Sequence, residues 1–174
     1  MEKELGIMRF EKVSYEAFNS DMIRCGFRPE DIMDAYNSIE IPKRKTKHSA
    51  GYDFVTPINC WIGPNKTITV PTGIKAYFRT EEAKMWHLSL YIRSSVGISR
   101  GVVIANQTGV IDADYYNNPD NEGDILIALK NINDFPVSFM AGNRMIQGIF
   151  EIHGITSDDD AAGKRVGGVG STDE

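Results

Sequence analysis

Apolar and polar residues alternate with a period of two through much of residues 50–152, and this alternation constrains the fold more than any other feature. The apolar members of the three clearest runs are Trp86, Leu88, Leu90 and Ile92; Ile125, Ile127 and Leu129; and Ile146, Gly148, Phe150 and Ile152. Successive side chains of a strand point to opposite faces, so each run predicts a strand with one buried face. Turn sequences such as Gly63-Pro64-Asn65 separate the runs. Many short strands at this spacing predict an all-β barrel or sandwich.

Residues 15–38 depart from this pattern and predict a short N-terminal α-helical insertion. Tyr15, Phe18 and Met22 recur at helical spacing, which places them on one face of a helix. A turn then precedes a second helix, whose first turn suits Pro29 and the two acidic residues after it. We expect these helices to pack against the β domain.

Composition excludes several classes of protein. The chain has 174 residues and a net charge of −5, and no apolar run approaches the ~20 residues that a membrane span needs. Without net positive charge to attract phosphates, stable nucleic-acid binding is not expected. Cys25 and Cys60 form no CxxC pair, and the three histidines show no metal-ligand spacing. Reduced thiols and the lack of an apolar signal-peptide core predict a cytoplasmic protein.

The end of the chain combines glycines with groups that bind phosphate. Residues 157–163 hold little to bury, which predicts a flexible linker. The candidate phosphate-binding residues after it are Arg165, Gly167, Gly168, Gly170, Ser171 and Thr172. Glycines let backbone N–H groups converge on an anion, and the arginine and hydroxyls add donors. Composition alone favours a flexible C-terminal segment without a function. We divide the chain into one domain over residues 1–156 and a separate segment, 157–174.

Two internal segments carry further candidates. Arg93-Ser94-Ser95 directly follows a predicted strand, and an arginine with two hydroxyls at a strand end can bind an oxyanion. Asp112 and Asp114 lie two residues apart, which in a strand puts both carboxylates on one face, where one could serve as a general base. Taken alone, the first segment also suits a helix N-terminus, and the second suits two surface acids.

Five short motifs nevertheless occur in order along the chain: AGYDF from Ala50, RSSVG from Arg93, GVIDADY from Gly109, GNRMIQ from Gly142 and RVGGVGST from Arg165. Over roughly residues 41–172, the chain therefore resembles the trimeric dUTPase family. The resemblance implies a jelly-roll-like β-barrel and a homotrimer whose active sites are shared between subunits. It also implies hydrolysis of dUTP to dUMP and pyrophosphate, with Mg²⁺ as cofactor.

The resemblance assigns the chemistry to one carboxylate and the phosphate contacts to several other groups. Asp112 would act as the general base for the water that attacks the α-phosphorus. Mg²⁺ would be held through the triphosphate, with no direct protein ligand. Asp53 would support the site. The implied phosphate ligands are Arg93, Ser94, Ser95 and Gln147, together with Arg165, Gly168, Ser171 and Thr172 of a clamping arm.

The resemblance assigns binding of the base and sugar to residues 106–115. Asn106 and the backbone of Gly109, Val110 and Ile111 would read uracil in a hairpin. A mispaired buried polar group costs about 1–3 kcal/mol, which separates uracil from cytosine. Tyr115 would lie under the deoxyribose and exclude a 2′-hydroxyl.

Four features depart from the family pattern. Ser95 stands where glycine is usual. Val169 stands where an aromatic residue usually stacks on uracil, and from this replacement we expect weaker clamping of the base but no loss of activity. Residues 116–122 lengthen the loop after Tyr115, and this acidic loop is expected to cover the site or contact a neighbouring subunit. The helices of residues 15–38 have no counterpart and either enlarge the subunit or bind a partner.

Two other functions are compatible with the motifs. A dCTP deaminase of the same fold needs a glutamate three residues before Asn131, where this chain has Ala128. The missing carboxylate disfavours deamination. A regulatory, protein-binding member would instead use the insertion at 15–38 as its interaction surface.

Overall fold

The structure is a computed structural model that describes residues 8–79, 85–163, 165 and 167. Its strands are β1 (Met8–Lys12), β2 (Tyr52–Val55), β3 (Cys60–Ile62), β4 (Thr67–Pro71), β5 (Ile74–Phe78), β6 (Trp86–Ile92), β7 (Val102–Ile104), β8 (Gly109–Ile111), β9 (Leu126–Asn131), β10 (Val137–Phe139) and β11 (Arg144–Ile152). Its helices are α1 (Tyr15–Arg24), α2 (Ile32–Ser38) and α3 (Ser94–Arg100), with 3₁₀ turns at Pro29–Asp31 and Ala113–Tyr115. The three alternating runs of the sequence thus form β6, β9 and β11.

Two antiparallel sheets form the body of the fold. The first has the strand order β2-β11-β6-β8 and the second β4-β9-β7. Two further antiparallel pairs join β1 to β5 and β3 to β10. Leu88 and Ile146 of the first sheet meet Val70 and Leu129 of the second in one buried cluster. This arrangement confirms the all-β, jelly-roll-like prediction.

The helical insertion folds around a small core of its own. Its buried members are Val13, Phe18, Met22, Ile32, Ala35 and Ile58. The Ser14 hydroxyl accepts a hydrogen bond from the Ala17 N–H and caps α1. The Tyr36 hydroxyl donates to the Val13 carbonyl at 2.9 Å, which ties α2 to the segment before α1. Both predicted helices are confirmed, and Pro29 lies in the 3₁₀ turn that precedes α2.

The acidic loop of residues 116–122 docks on this insertion. The hydroxyl and N–H of Ser14 donate to the Glu122 carboxylate at 2.6 and 3.0 Å, and these bonds lower the pKa of Glu122. Asn121 Nδ2 donates to Asp21 of α1 at 3.1 Å. The loop therefore contacts α1 of its own chain, which neither of the two expectations for it included.

Cys25 and Cys60 are free, in agreement with the expectation of reduced thiols. Burial raises the pKa of both thiols, so neither is set up as a reactive thiolate. In the described ranges, none of the helices has the length and apolar character needed to cross a membrane.

Asp124, two residues before β9, is a completely buried carboxyl. Its Oδ1 accepts a hydrogen bond from the Gly73 N–H at 2.8 Å. Its Oδ2 is buried without a hydrogen-bond partner among the described residues. Burial raises the pKa of Asp124 well above its usual range, and the charge of Asp21 adds to the rise. The folded protein therefore holds this proton to higher pH than the unfolded chain does.

We expect Asp124→Asn to flatten the pH dependence of stability. Because the folded pKa exceeds the unfolded one, the contribution of Asp124 is complete below the unfolded pKa and is lost as the pH rises through the folded pKa. Between these two pKa values, each unit of rise in pH lowers the free energy of unfolding by up to about 1.4 kcal/mol through Asp124. Chemical denaturation across this range measures the slope, with exposed Asp134→Asn as the control. Equal slopes in wild type and Asp124→Asn would contradict the prediction.

Candidate active site

A cavity of about 540 Å³ opens beside the segment that links β7 to the 3₁₀ turn at Ala113–Tyr115. Seven residues implied by the resemblance line it: Asn106, Gly109, Val110, Ile111, Asp112, Tyr115 and Arg165. Thr69 of β4 and Ala128 of β9 contribute further lining. The volume lies within the usual range of small-molecule sites, about 300–1,000 Å³. The fold thus brings the predicted base, sugar and water-activating residues to one cavity.

Residues 106–115 do not form the expected hairpin. β7 pairs with β9 and β8 pairs with β6, so the chain crosses from one sheet to the other between them. At the crossing, Gln107 has a φ of 68°, and the Thr108 N–H donates to the Asn106 carbonyl at 2.8 Å. In the described part of the chain β8 is an edge strand of its sheet. One row of its backbone groups can therefore pair with a ligand.

Asp112 and Asp114 do not lie on a strand, which corrects the geometry expected for them. β8 ends at Ile111, and Asp112 then has an extended backbone while Asp114 belongs to the following 3₁₀ turn. The two carboxylates nevertheless face the same cation. Arg165 donates from Nη2 to Asp112 at 2.7 Å and from Nε to Asp114 at 2.8 Å. The arginine of the last motif therefore reaches the predicted catalytic carboxylate.

Tyr115 forms a fixed wall of the cavity. Its ring is buried, its hydroxyl donates to the Asp124 carbonyl at 2.9 Å, and it accepts from Asn121 Nδ2 at 3.2 Å. Burial raises the pKa of Tyr115 to about 12, so the phenol stays protonated at neutral pH. The guanidinium of Arg165 lies 5.6 Å from the ring centroid. These contacts hold the ring in one position relative to Asp112.

The predicted phosphate residues lie around Asp53. Arg93, which follows β6, places Nε 2.9 Å from the Asp53 carboxylate, and Arg144 of β11 lies 3.5 Å from it. Ser94 and Ser95 are exposed in the first turn of α3, directly after Arg93. Asp53 therefore forms ion pairs with two arginines. Arg144 was missed, although its place within the GNRMIQ motif was a usable signal.

Gln147 is positioned by the glycine of the first motif. It lies opposite Asp53 in the β2–β11 pairing and opposite Tyr91 in the β6–β11 pairing. A Cβ atom on Gly51 would overlap Gln147 Oε1, so any side chain at position 51 would displace the amide. The absence of a side chain at Gly51 gives Gln147 its place beside Asp53.

These phosphate residues and Asp112 lie at opposite ends of the β6–β8 pairing. Leu88 is opposite Ile111, so continuing the register places Asp112 beside His87, six residues before Arg93. At about 3.4 Å per residue of strand, Arg93 and Asp112 are roughly 20 Å apart in one chain. Arg93, Ser94, Ser95 and Gln147 are accordingly absent from the described lining of the cavity. One chain does not bring the two halves of the predicted site together.

A second, more open cleft of about 690 Å³ adjoins the same carboxylates. Asp112, Asp114 and Asp159 supply its negative charge, and Trp86 and His153 line another part of it. Asp112 thus lies in the lining of both cavities. A ligand that filled the two would pass directly over this carboxylate.

The remaining predicted arm residues, Gly168, Ser171 and Thr172, lie outside the described residues, as does Val169. Within the described ranges, no group of three or more His, Cys, Asp or Glu side chains is arranged to hold a metal ion. The carboxylates of the second cleft nevertheless suit a hydrated cation that arrives with a phosphate chain.

Two charged residues of the cavity lining were not named as site residues from the sequence, although the loop that carries one of them was expected to cover the site. Arg24, at the end of α1, and Asp120, in the acidic loop, both line the 540 Å³ cavity. They come from the two segments that have no counterpart in the five motifs. Their approach depends on the docking of the loop on α1, for which the local sequence carries no signal.

Comparison with known proteins gives a consistent result. A family model described as dUTPase matches residues 37–172. A deoxyuridine 5′-triphosphate nucleotidohydrolase of Lactococcus lactis is 43% identical over 136 residues, which cover 77% of this chain and 88% of that protein. The crystal structure of a dUTPase from Streptococcus mutans superposes with a TM-score of 0.66 at 34% identity, covering 85% of this chain and 98% of that one.

A more distant similarity extends to a phage enzyme. The dUTPase from phage phi11 of S. aureus superposes with a TM-score of 0.62 and covers 91% of this chain and 97% of its own. Its identity to this chain is 16%, so the similarity concerns the fold alone.

Proposed function

This chain belongs to the dUTPase family, and from that premise we propose that it hydrolyses dUTP to dUMP and pyrophosphate with Asp112 as the general base. The observation that carries the proposal is the position of Asp112. It lies in the lining of a cavity of nucleoside size and of a more open acidic cleft. A nucleoside triphosphate has a base and sugar at one end and phosphates at the other, and its α-phosphorus joins the two.

The base and sugar would occupy the 540 Å³ cavity. Edge-strand backbone groups of Gly109–Ile111 would pair with uracil, assisted by Asn106. The buried ring of Tyr115 would pack against the deoxyribose and leave no room for a 2′-hydroxyl. This fixes the α-phosphorus close to Asp112.

In the reaction, Asp112 accepts a proton from water as the water oxygen attacks the α-phosphorus. The bond from the α-phosphorus to the bridging oxygen breaks, and pyrophosphate leaves with the electron pair. When bound through the triphosphate, Mg²⁺ would supply positive charge that neutralises the phosphate oxygens. Arg165 pairs with Asp112 and Asp114 in the structure. When substrate binds, its guanidinium would pair with the phosphates instead, and Gly168, Ser171 and Thr172 of the arm would contact them as well.

The separation of roughly 20 Å between Arg93 and Asp112 supports shared sites. Ser94, Ser95 and Gln147 would reach the phosphates from a neighbouring subunit of a homotrimer, at the open cleft of the first. Asp53 would orient Arg93 from behind through its 2.9 Å ion pair. A heterologous interface repeated three times closes such a ring.

Two observations bear on the rival functions. Ala128 lines the nucleotide cavity, so a methyl group stands where a deaminase of this fold needs a carboxylate. Arg24 of the helical insertion lines this cavity, which favours a role of the insertion in the enzyme's own site over a role as a separate regulatory surface.

A nucleotide panel tests the proposal. We expect pyrophosphate release with Mg²⁺ from dUTP, and at least about a hundredfold lower kcat/KM for dCTP, dTTP and UTP, because each competitor clashes with or leaves unpaired a buried group. Pyrophosphate detection and nucleotide chromatography measure it together. Formation of a uracil nucleotide from dCTP, with dUTP untouched, would overturn the assignment.

A further inference from the structure

We propose that Arg24 of the helical insertion binds the base end of the nucleotide, an inference that rests on the proposed function. Arg24 is the last residue of α1. It lines the same cavity as Asn106, Gly109 and Tyr115. It is not among the described residues that line the open cleft. Its position therefore assigns it to the base and sugar and not to the outer phosphates.

Two carboxylates hold the guanidinium in place. Nη2 donates to Asp21 at 2.5 Å, and Nη1 lies 3.3 Å from Asp120. Asp21 is itself buried and accepts a hydrogen bond from Asn121 Nδ2 at 3.1 Å, so the carboxylate that holds Arg24 has a fixed position. A guanidinium anchored on two sides keeps a defined orientation toward the cavity. Less rotamer entropy is then lost when a ligand binds.

The arrangement leaves part of the guanidinium for a ligand. In the described structure, the ion pairs of Arg24 use Nη1 and Nη2, whereas its planar face and Nε are not engaged by them. Planar guanidinium groups stack on bases and donate to carbonyl oxygens. Uracil offers both a flat face and carbonyl acceptors.

The rest of the lining gives this group a distinct role. Tyr115 is the one aromatic residue in the described lining, and it is committed to the buried contacts beneath the sugar. Arg165, the other cation of that lining, pairs with Asp112 and Asp114. Arg24 is thus the planar cation positioned for the base.

The same contacts connect Arg24 to the sugar site. Asn121 donates both to Asp21, which holds Arg24, and to the hydroxyl of Tyr115. The insertion and the sugar-binding ring are therefore positioned by one buried network. The docked loop and α1 form part of the nucleotide site.

Binding of dUMP and of deoxyuridine to Arg24→Ala tests the inference by calorimetry. We expect affinity for both ligands to fall tenfold or more, by the same factor, because neither carries the outer phosphates. Arg28→Ala removes a positive charge from the same insertion at an exposed residue outside the described lining and should bind both like wild type. Unchanged binding by Arg24→Ala would overturn the inference. So would a loss confined to dUMP, because it would place Arg24 at the phosphate and not at the base.

Arg24→Lys decides the matter if the alanine variant does not fold. It keeps a cation beside Asp21 but loses the planar fork, so the same tenfold loss is expected, and wild-type affinity would refute the role. Hydrolysis of dUTP by the wild-type protein is measured separately. If the wild-type protein hydrolyses dUTP but both variants bind dUMP as tightly as wild type, only the role of Arg24 is rejected. If the wild-type protein does not hydrolyse dUTP, the proposed function itself is rejected.

Discussion

Asp112→Asn is expected to lower kcat for dUTP about a thousandfold while leaving dUTP affinity within a fewfold of wild type. An amide cannot accept the proton of the attacking water, and general-base catalysis supplies about 10²–10⁴ of a rate enhancement. The side chain keeps its size, so the cavity that it helps to line keeps its shape. The loss should therefore fall on turnover and not on binding.

Asp114→Asn is the matched control for this change. Asp114 carries the same charge, is similarly exposed and pairs with the same guanidinium of Arg165. A purely electrostatic role for these carboxylates predicts similar effects of the two substitutions. We expect Asp114→Asn to lower kcat less than about tenfold, since it removes charge but not the base. Equal losses in single-turnover experiments would contradict the assignment of Asp112 as general base.

Arg93→Ala is expected to lower kcat/KM for dUTP about a hundredfold. Removing a charged donor that stabilises transition-state charge typically costs about 10²–10³ in rate. The ion pair with Asp53 fixes the orientation of Arg93, so the donor is preorganised before substrate arrives. Steady-state kinetics with dUTP, and binding of dUMP, separate phosphate contacts from nucleoside contacts.

Arg144→Ala distinguishes a phosphate contact of Arg93 from a supporting role. Arg144 lies 3.5 Å from the same carboxylate of Asp53, so its loss weakens that ion-pair cluster but leaves Arg93 in place. We expect less than about a tenfold loss of kcat/KM. A loss as large as that of Arg93→Ala would mean that Arg93 acts by maintaining the ion pairs around Asp53 and not by contacting the phosphates.

The sequence predicted most of the fold because its signals are local. Alternation fixes which face of a strand is buried, and it identified β6, β9 and β11 within two residues of their observed bounds. The helical spacing of Tyr15, Phe18 and Met22 likewise identified α1. Of the five motifs, the third located Gly109, Val110, Ile111, Asp112 and Tyr115 of the 540 Å³ cavity, and the fifth located Arg165.

Pairing partners were not predictable from the same signals. A hairpin was expected within residues 106–115, yet Gly109–Ile111 pairs with β6 and the preceding strand, Val102–Ile104, pairs with β9 in the other sheet. The docking of the 116–122 loop likewise depends on Ser14 and Asp21, about a hundred residues away in the chain. Long-range contacts of this kind decide which side chains reach the site, and Arg24 entered it in this way.

Mixing two strongly impaired variants tests the central claim most directly. In a ring that takes Asp112 from one chain and Arg93 from its neighbour, random co-assembly of Asp112→Asn with Arg93→Ala rebuilds about a quarter of the sites. We predict that refolding the two variants together restores dUTP hydrolysis to about a quarter of the wild-type rate. A mixture that co-assembles but remains as inactive as its components would contradict an active site shared between chains.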